Sequence, residues 1–413
     1  MKTNKAKIIN DPVYGFITLD HELLYDIVSH RYFQRLLRIK QLGMSYIVYP
    51  GAMHSRFLHA LGTMFLMKKA IGVLRAKGVA ITDDEAVAAE AAILLHDIGH
   101  GPFSHALERF FIGGVSHETL SERFMERINH ELGGRLDMAI AIFKGTYEKR
   151  FLHQLVSSQL DMDRLDYLSR DSFFAGVSEG IVGTERIINM LNVYGDNLVV
   201  DEKGIYSIEK FIISRRLMYW QVYLHKTVIA ADEVMRSLLQ RAKLLAEQGR
   251  ALACSENMLF FLSNSVSVND LYSDAKVLDR FALLDDSDVI SAAKMWMTND
   301  DFVLSRLAEM LINRVLPCIE VRSEPFGDGA MERYRRLFEQ KYHVSSAESE
   351  YFVRSGRLQN HAYDFQDQEI EILFKNGSCK GISEASDQLD HRFLEKTVTK
   401  YYICYPKEFR GGG

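Results

Sequence analysis

No proline occurs between Phe103 and Leu316, although Pro102 and Pro317 stand directly outside that interval. Proline removes a backbone donor and clashes with the preceding turn, so long helices exclude it. A long interval without it, with apolar residues at helical spacing, reads as a run of packed helices. The spacing predicts helices over about 22–40, 54–77, 117–129, 149–160, 162–174, 184–193, 207–247 and 286–312. Thr82 and Glu85 form a Thr-x-x-Glu capping box that opens one more helix, ending near His96. Gly99 and Gly101 break that helix, and Pro102 suits the first turn of the next. Residues 7–20 read as two extended pieces around a turn at Pro12 and Gly15, and Tyr46 to Tyr49 as another extended piece. Residues 195–206 read as a hairpin turning at Asp201–Gly204.

After about residue 311 the texture changes. Strand-like runs at 314–321, 351–354, 370–374 and 401–404 alternate with helical patterns at 331–341 and 382–396. The expected fold is therefore mostly α. A helical core with short N-terminal strands covers 1–310, and a smaller α+β C-terminal lobe covers 311–413.

Composition narrows the function classes. With 50 basic and 55 acidic residues the net charge is −5, which argues against a general electrostatic grip on nucleic acid. The four cysteines, Cys254, Cys318, Cys379 and Cys404, are far apart and form no CxxC, which reads as free thiols in a reducing compartment. Only Ile8 and Ile9 could form an apolar core in residues 1–11, too little for a signal peptide. No uninterrupted apolar run approaches the ~18 residues of a membrane span. The expectation is a cytoplasmic protein with no membrane or nucleic-acid partner.

The chemistry concentrates in one window. Six of the 14 histidines, His54, His59, His96, His100, His105 and His117, lie between residues 54 and 117. A buried histidine must find a partner for each ring nitrogen or contact a metal. His96-Asp97 sets an imidazole and a carboxylate side by side at a helix end, and His59 offers a third ligand from another helix. A fourth can come from Asp163, on a stripe with Asp166, Tyr167, Arg170 and Asp171 along one helix face. The plain reading of that stripe is a solvated face laced by pairs such as Asp166–Arg170. Likewise, His54 and His153 read as hydrogen-bonded core histidines, and Tyr219 and Tyr223 equally as core aromatics. A two-histidine, two-carboxylate set with open positions suits Mn, Fe, Ni or Zn over Ca or Mg. Such a metal polarises a phosphoryl oxygen. Arg56, Arg164 and Lys226 could then bind phosphate oxygens.

The order His59…His96-Asp97…Asp163 resembles the HD phosphohydrolase superfamily. Flanking words narrow the resemblance to its deoxynucleoside triphosphate triphosphohydrolase branch: Lys40-Gln-Leu-Gly43, Tyr49-Pro-Gly-Ala52, Arg56-Phe-Leu-His-Ala-Leu-Gly62, the run His96 to His105, His117-Glu118 and the run Asp163 to Asp171. The resemblance is dense from Asn10 to about Gly176. It implies an HD-domain helical core in which His59, His96, Asp97 and Asp163 ligate a divalent metal (Mn, Fe, Ni or Zn), with Mg on the triphosphate. It implies that His100, His105, Glu108 and His117 line the reacting phosphate, with His100 or His105 protonating the leaving 5′-oxygen. Arg56 and Arg164 would hold the triphosphate, and Gln41, Leu42, Tyr167 and Asp171 the sugar and base. Arg215, Tyr219 and Tyr223 fall where the family places further substrate contacts. The implied reaction converts a dNTP to a deoxynucleoside and inorganic triphosphate, in a homo-oligomer (dimer or tetramer). Ser29 and Leu37 stand where the family's activator-guanine site carries an acidic and a basic side chain. Two alternatives stay open: action on another nucleotide phosphate ester, such as a nucleoside monophosphate or an alarmone, and a nucleotide-sensing scaffold with low turnover.

Overall fold

A computed structural model describes residues 7–327, 329–360, 369–389 and 397–411; the side chain of His105 lies outside the described residues. The chain is mostly helical. Six helices matter to the site: α1 (Arg56–Ala76), α2 (Asp83–Leu95), α3 (His117–Glu131), α4 (Met162–Ala175), α5 (Ile205–Met218) and α6 (Lys226–Glu247).

Helix α1 packs against α2 and α4 and buries Leu61, Met64, Leu66 and Met67. It corrects one expectation, because it is long and apolar enough to cross a membrane by length and composition. Two of its neighbours cover it in this fold, and Arg56, His59 and Thr63 are buried while Lys68 and Lys69 reach the surface, which is the pattern of a core helix.

Helix α2 opens on the predicted capping box. The Glu85 amide donates to Thr82 Oγ1 at 3.2 Å, and the Thr82 amide donates to Glu85 Oε2 at 2.8 Å. Glu85 also accepts from Tyr147 Oη at 2.8 Å and Lys149 Nζ at 2.7 Å. Burial raises the Glu85 carboxyl, but Lys149, the Thr82 amide and Tyr147 together bring it down to about 2. A depressed carboxylate stabilises the fold above its unfolded value, and that contribution disappears as pH falls through the folded value. Glu85→Gln is therefore expected to cost about 2 kcal/mol at pH 7, read by urea denaturation. The gap to wild type should close between about pH 4.5 and pH 2.

Several predicted elements are shorter than their patterns, each for a local reason. The 207–247 helix is interrupted by a π turn at Tyr219–Tyr223 and by an extended His225, whose Nδ1 caps α6 by accepting from the Thr227 amide at 3.2 Å. The 286–312 helix splits into Asp286–Trp296 and Phe302–Ile312, the second capped by Asp301. The 22–40 pattern is realised as three short pieces, Glu22–Ser29, Arg31–Gln34 and Arg35–Arg38. The stretch at 46–49 is not extended, and a 3-10 turn covers Gly43–Ile47. The hairpin turns earlier than expected. β3 (Leu191–Tyr194) joins β4 (Asn197–Asp201) through Gly195 and Asp196, both at positive φ (54° and 69°), the geometry that matches strand twist in a two-residue loop.

The N-terminal strands β1 (Lys7–Asp11) and β2 (Gly15–Leu19) pair antiparallel, as the sequence predicts. β5 (Cys318–Arg322), β9 (Val398–Tyr405) and β6 (Arg354–Asn360) form one C-terminal sheet in that spatial order. β7 (Glu371–Leu373) and β8 (Cys379–Gly381) instead extend the β3–β4 hairpin, β7 lying parallel to β4. A shared sheet thus crosses the boundary expected at residue 310. Of the helix expected at 382–396, Ile382–Ala385 is present and 390–396 lie outside the described residues. Leu358, Tyr402 and Cys404 of the C-terminal sheet pack on Ile229 and Ala230, bringing that sheet against α6.

Candidate metal centre and substrate cavity

Three elements converge on one point. His59 projects from the second turn of α1, His96 caps the C-terminus of α2 and Asp163 lies in the first turn of α4. One ligand atom from each lies within 4.8 Å of the others. His59 Nε2 is 3.0 Å from Asp163 Oδ1 and 3.7 Å from Asp97 Oδ2, and His96 Nε2 is 3.5 Å from Asp163 Oδ1 and 3.3 Å from Asp97 Oδ1. Yet Nε2 of each histidine is buried and makes no hydrogen bond of acceptable geometry. Buried polar nitrogens without hydrogen bonds, aimed together at two carboxylates, are the arrangement a divalent cation satisfies. The four residues expected as ligands therefore fit the group.

The other ring nitrogens are fixed from behind. His96 Nδ1 donates to the Ile93 carbonyl at 2.6 Å, which leaves Nε2 as the lone-pair nitrogen. His59 Nδ1 lies 2.7 Å from Asp166 Oδ2. Asp166 in turn binds Arg170 through both oxygens, at 2.8 and 3.0 Å, and Arg170 Nη1 reaches Asp11 of β1 at 2.7 Å. His59, Asp166 and Arg170 are wholly inaccessible to solvent. The Asp166–Arg170 pair is thus a buried support for a ligand, contrary to the plain surface reading of its i,i+4 spacing. Gly62 makes room for it, since a Cβ there would stand 2.1 Å from Asp166 Oδ1 and 2.2 Å from Arg170 Nη2. Burial alone would lower the His59 imidazole, but Asp163 and Asp166 raise it to about 10. Asp163 is held well below the usual carboxylate range: burial opposes this, and His59 and His96 outweigh it.

Asp97 faces both His59 and His96 on one side and Arg56 and His100 on the other. Its Oδ2 accepts from Arg56 Nη1 at 2.5 Å, and its Oδ1 lies 3.4 Å from His100 Nε2. Arg56 Nη2 also donates to Ser104 Oγ at 2.9 Å, so Arg56 enters the site as the partner of Asp97. His100 stacks on His117 with ring centres 4.0 Å apart, and His117 Nδ1 lies 2.9 Å from Glu108 Oε1. Burial, with help from the Arg56 charge, pushes His100 well below the ordinary imidazole range, against the pull of Asp97. Asp97, His100 and His117 form a second group of possible ligands. His105 lies in the short helix Ser104–Leu107.

Two features missed by sequence reasoning hold this loop. Arg35, fully buried, donates to the carbonyls of Ile98 and His100, both at 2.8 Å. Asp286 accepts from the Phe103 amide at 3.0 Å and the Lys40 amide at 3.0 Å, and Phe103 sits in the left-handed region (φ 44°). Gly99 acts through contact and not through a special backbone angle: a Cβ would lie 2.1 Å from the His117 carbonyl and 2.4 Å from the Ser121 amide.

A cavity of about 420 Å³ opens beside the centre. Of the residues expected to contact sugar and base, Gln41, Leu42, Tyr167, Asp171, Tyr219 and Tyr223 line it. Asp171 accepts from Tyr223 Oη at 2.8 Å and lies 2.9 Å from His54 Nε2, so His54 is the hydrogen-bonded core histidine the sequence suggested. Arg164 and Arg215 are not among the cavity's lining residues; Asp161 holds Arg164 and Gln159 holds Arg215. α6 and the C-terminal sheet supply the far wall, including Asp232, Glu233, Arg236, Arg357 and Tyr402, none of which the sequence reading singled out.

Comparison with known proteins agrees with this geometry. The HD domain family profile matches residues 56–171 and the HD associated region profile residues 182–253. The crystal structure of a phosphohydrolase from Bacteroides thetaiotaomicron superposes with a TM-score of 0.94 at 52% identity, covering 97% of this chain and 100% of that one. The uncharacterized protein YwfO of Bacillus subtilis is 32% identical over 98% of this chain and 94% of its own length. The deoxynucleoside triphosphate triphosphohydrolase SAMHD1 of Danio rerio is 27% identical over 66% of this chain, which spans 50% of that longer protein.

Proposed function

This chain belongs to the HD-domain phosphohydrolase family, and from that premise we propose that it cleaves deoxynucleoside triphosphates to a deoxynucleoside and inorganic triphosphate. The observation that carries the reading is the order of groups along one face of α4. Asp163 belongs to the metal centre, and Tyr167 and Asp171 line the cavity. At ~1.5 Å per residue they lie about 6 and 12 Å further along the axis. A nucleotide laid along that face sets its α-phosphate at His59, His96, Asp97 and Asp163 and its sugar at Tyr167 and Asp171. The 420 Å³ cavity is of the size that encloses a small ligand. The activity for which the SAMHD1 relatives are named supports the same substrate class.

His59, His96, Asp97 and Asp163 would hold a divalent ion (Mn, Fe, Ni or Zn), which would supply Lewis acidity at the phosphoryl group. The chain's own groups then do the rest. Arg56 and Arg164 carry positive charge beside the phosphates. Water attacks the α-phosphorus, the bond to the 5′-oxygen breaks, and that oxygen takes up a proton. His100, 3.4 Å from Asp97 and stacked on His117, is the group that delivers that proton. Glu108 orients His117 against His100. The Asp171–Tyr223 hydrogen bond closes the sugar end, where crowding refuses a 2′-hydroxyl.

The test is to incubate the protein with each of the four dNTPs under Mn, Fe, Ni, Co or Mg and to separate the products by ion chromatography. Inorganic triphosphate with an equal amount of deoxynucleoside is expected. Orthophosphate or pyrophosphate with no triphosphate would show a different phosphate ester as the substrate. His100→Ala should keep its metal and lose about 10²- to 10⁴-fold in kcat, the usual contribution of a positioned acid–base group. Loss of metal in that variant would make His100 a ligand. A homo-oligomer, dimer or tetramer, belongs to the same proposal and is read by light scattering.

A further inference from the structure

The C-terminal sheet supplies no group to the chemistry proposed above, yet it grips an irregular turn in the helical segment beside the cavity. Tyr219–Tyr223 form a π turn, closed by the Leu224 amide donating to the Tyr219 carbonyl at 2.7 Å. Such turns are rare, occur singly and are frequent at functional sites. The residues of this one divide between two partners. Tyr219 and Tyr223, four apart, line the cavity, and Tyr223 Oη donates to Asp171 at 2.8 Å. Trp220 and Leu224, also four apart, pack on a cluster of Ile229 and Ala230 from α6 and Leu358, Tyr402 and Cys404 from the sheet. The Lys400 ammonium stands 3.9 Å from the centre of the Trp220 ring, and it makes no hydrogen bond or ion pair among the described residues. Lys400 lies directly opposite Leu358 in the β6–β9 register, on the side of the sheet that meets α6. The sheet also holds the chain on both sides of the turn. Ahead of it, Asn360 Nδ2 donates to the Arg216 carbonyl at 3.4 Å. Behind it, Tyr402 Oη and Arg354 Nε donate to Glu233 of α6 at 2.7 and 3.3 Å.

We propose that the C-terminal sheet positions the cavity tyrosines, with Lys400 clamping the π turn through the Trp220 ring. Neither Lys400 nor Trp220 lines the cavity, so both are positioning residues. The inference rests on reading the cavity as the nucleotide site, and it adds what the C-terminal lobe does for that site. A cation over an indole is drawn to the negative face of the ring, and tryptophan gives the strongest such pairing. With no carboxylate paired to Lys400, the ring is the partner of its charge. Trp220 adjoins Tyr219 in a single turn, so a shift of the indole moves the backbone that carries Tyr219 and Tyr223. The bond from Tyr223 to Asp171 is made at one setting of that turn.

The experiment measures KM and kcat for a dNTP in Lys400→Met, Lys400→Arg, Trp220→Leu and the Lys400→Met/Trp220→Leu double variant, with metal content as a control. Lys400→Met keeps the length of the side chain and removes its charge. It should raise KM by about 2- to 5-fold with kcat and metal unchanged. Lys400→Arg should restore KM. Once Trp220 is leucine, Lys400→Met should change nothing further. Lys400 is a half-buried strand residue, so its variants keep the test open even if Trp220→Leu does not fold. A second measurement needs no reaction. The chain has two tryptophans, and Trp296 is fully buried, so fluorescence quenched by acrylamide reports Trp220. In ligand-free protein, both Lys400→Met and Tyr223→Phe, which breaks the bond to Asp171 from the cavity side, should increase that quenching. If no dNTP is hydrolysed but Trp220 responds to both substitutions, the reaction proposed above fails and the clamp stands. Unchanged KM in the folded variants of an active protein, or a Trp220 signal indifferent to Tyr223→Phe, overturns the clamp.

Discussion

Asp163→Ala is expected to keep its helical fold and to lose both its bound metal and its catalysis. The carboxylate is the most accessible member of the ligand group, and it does not cap α4, a task performed by Asp161. Its removal therefore leaves the helix start intact while His59 Nε2 and His96 Nε2 lose the oxygen they face at 3.0 and 3.5 Å. Metal polarisation is worth several kcal/mol of transition-state charge stabilisation, so turnover should fall by about 10³-fold or more. Elemental analysis should show metal lost, with an unchanged far-ultraviolet circular dichroism spectrum. Asp161→Ala is the informative contrast, since it removes the acceptor of the Arg164 amide at 2.7 Å and should lower stability by about 1 kcal/mol. An Asp163→Ala protein with full activity and bound metal would remove Asp163 from the centre.

Asp166→Ala should be the more damaging substitution to the fold. It strips Arg170 of a bidentate partner in a fully buried site and removes the acceptor that fixes His59 Nδ1. Breaking a buried pair by deleting one member costs about 3–5 kcal/mol, because the remaining charge stays buried and uncompensated. Asp11 still holds Arg170 at 2.7 Å, so the lower half of that range is expected. Loss of the group that orients a ligand typically weakens metal binding by about 10- to 100-fold. Asp166→Asn keeps the volume and an acceptor for His59 and should fall between wild type and alanine. Chemical denaturation with a metal titration on the same samples checks both effects. A loss below about 1 kcal/mol with unchanged metal affinity would mean that the network supports neither fold nor ligand.

The residues that converge at the candidate metal centre were legible in the sequence because their spacing is local and their residue types are rare together. His96 and Asp97 are adjacent, and His59 and Asp163 stand on helices whose apolar periods were plain. The support behind them was not legible. Asp166 and Arg170 have the spacing of a surface pair, and only the approach of α1 at Gly62 and of Asp11 from β1 buries them. Arg35 and Asp286 act on backbone groups of Ile98, His100, Phe103 and Lys40, contacts that leave no motif. The far wall of the cavity was invisible for a different reason. Leu358 and Tyr402 reach it through the register of β6 on β9, where Gly356 faces Tyr402 and Leu358 faces Lys400, and a one-residue slip would turn a different set of side chains toward α6. The helices were overextended in prediction where His225 and Asp301, both ordinary in helical patterns, serve as caps.

The central claim is that His59, His96, Asp97 and Asp163 hold the catalytic metal while His100 and His117 serve the phosphate. Anomalous diffraction from crystals grown with Mn tests it most directly. The account predicts a peak about 2.0–2.3 Å from the Nε2 atoms of His59 and His96 and from carboxylate oxygens of Asp97 and Asp163. A single peak bound instead by Asp97, His100 and His117, with none at His59 and His96, would contradict it.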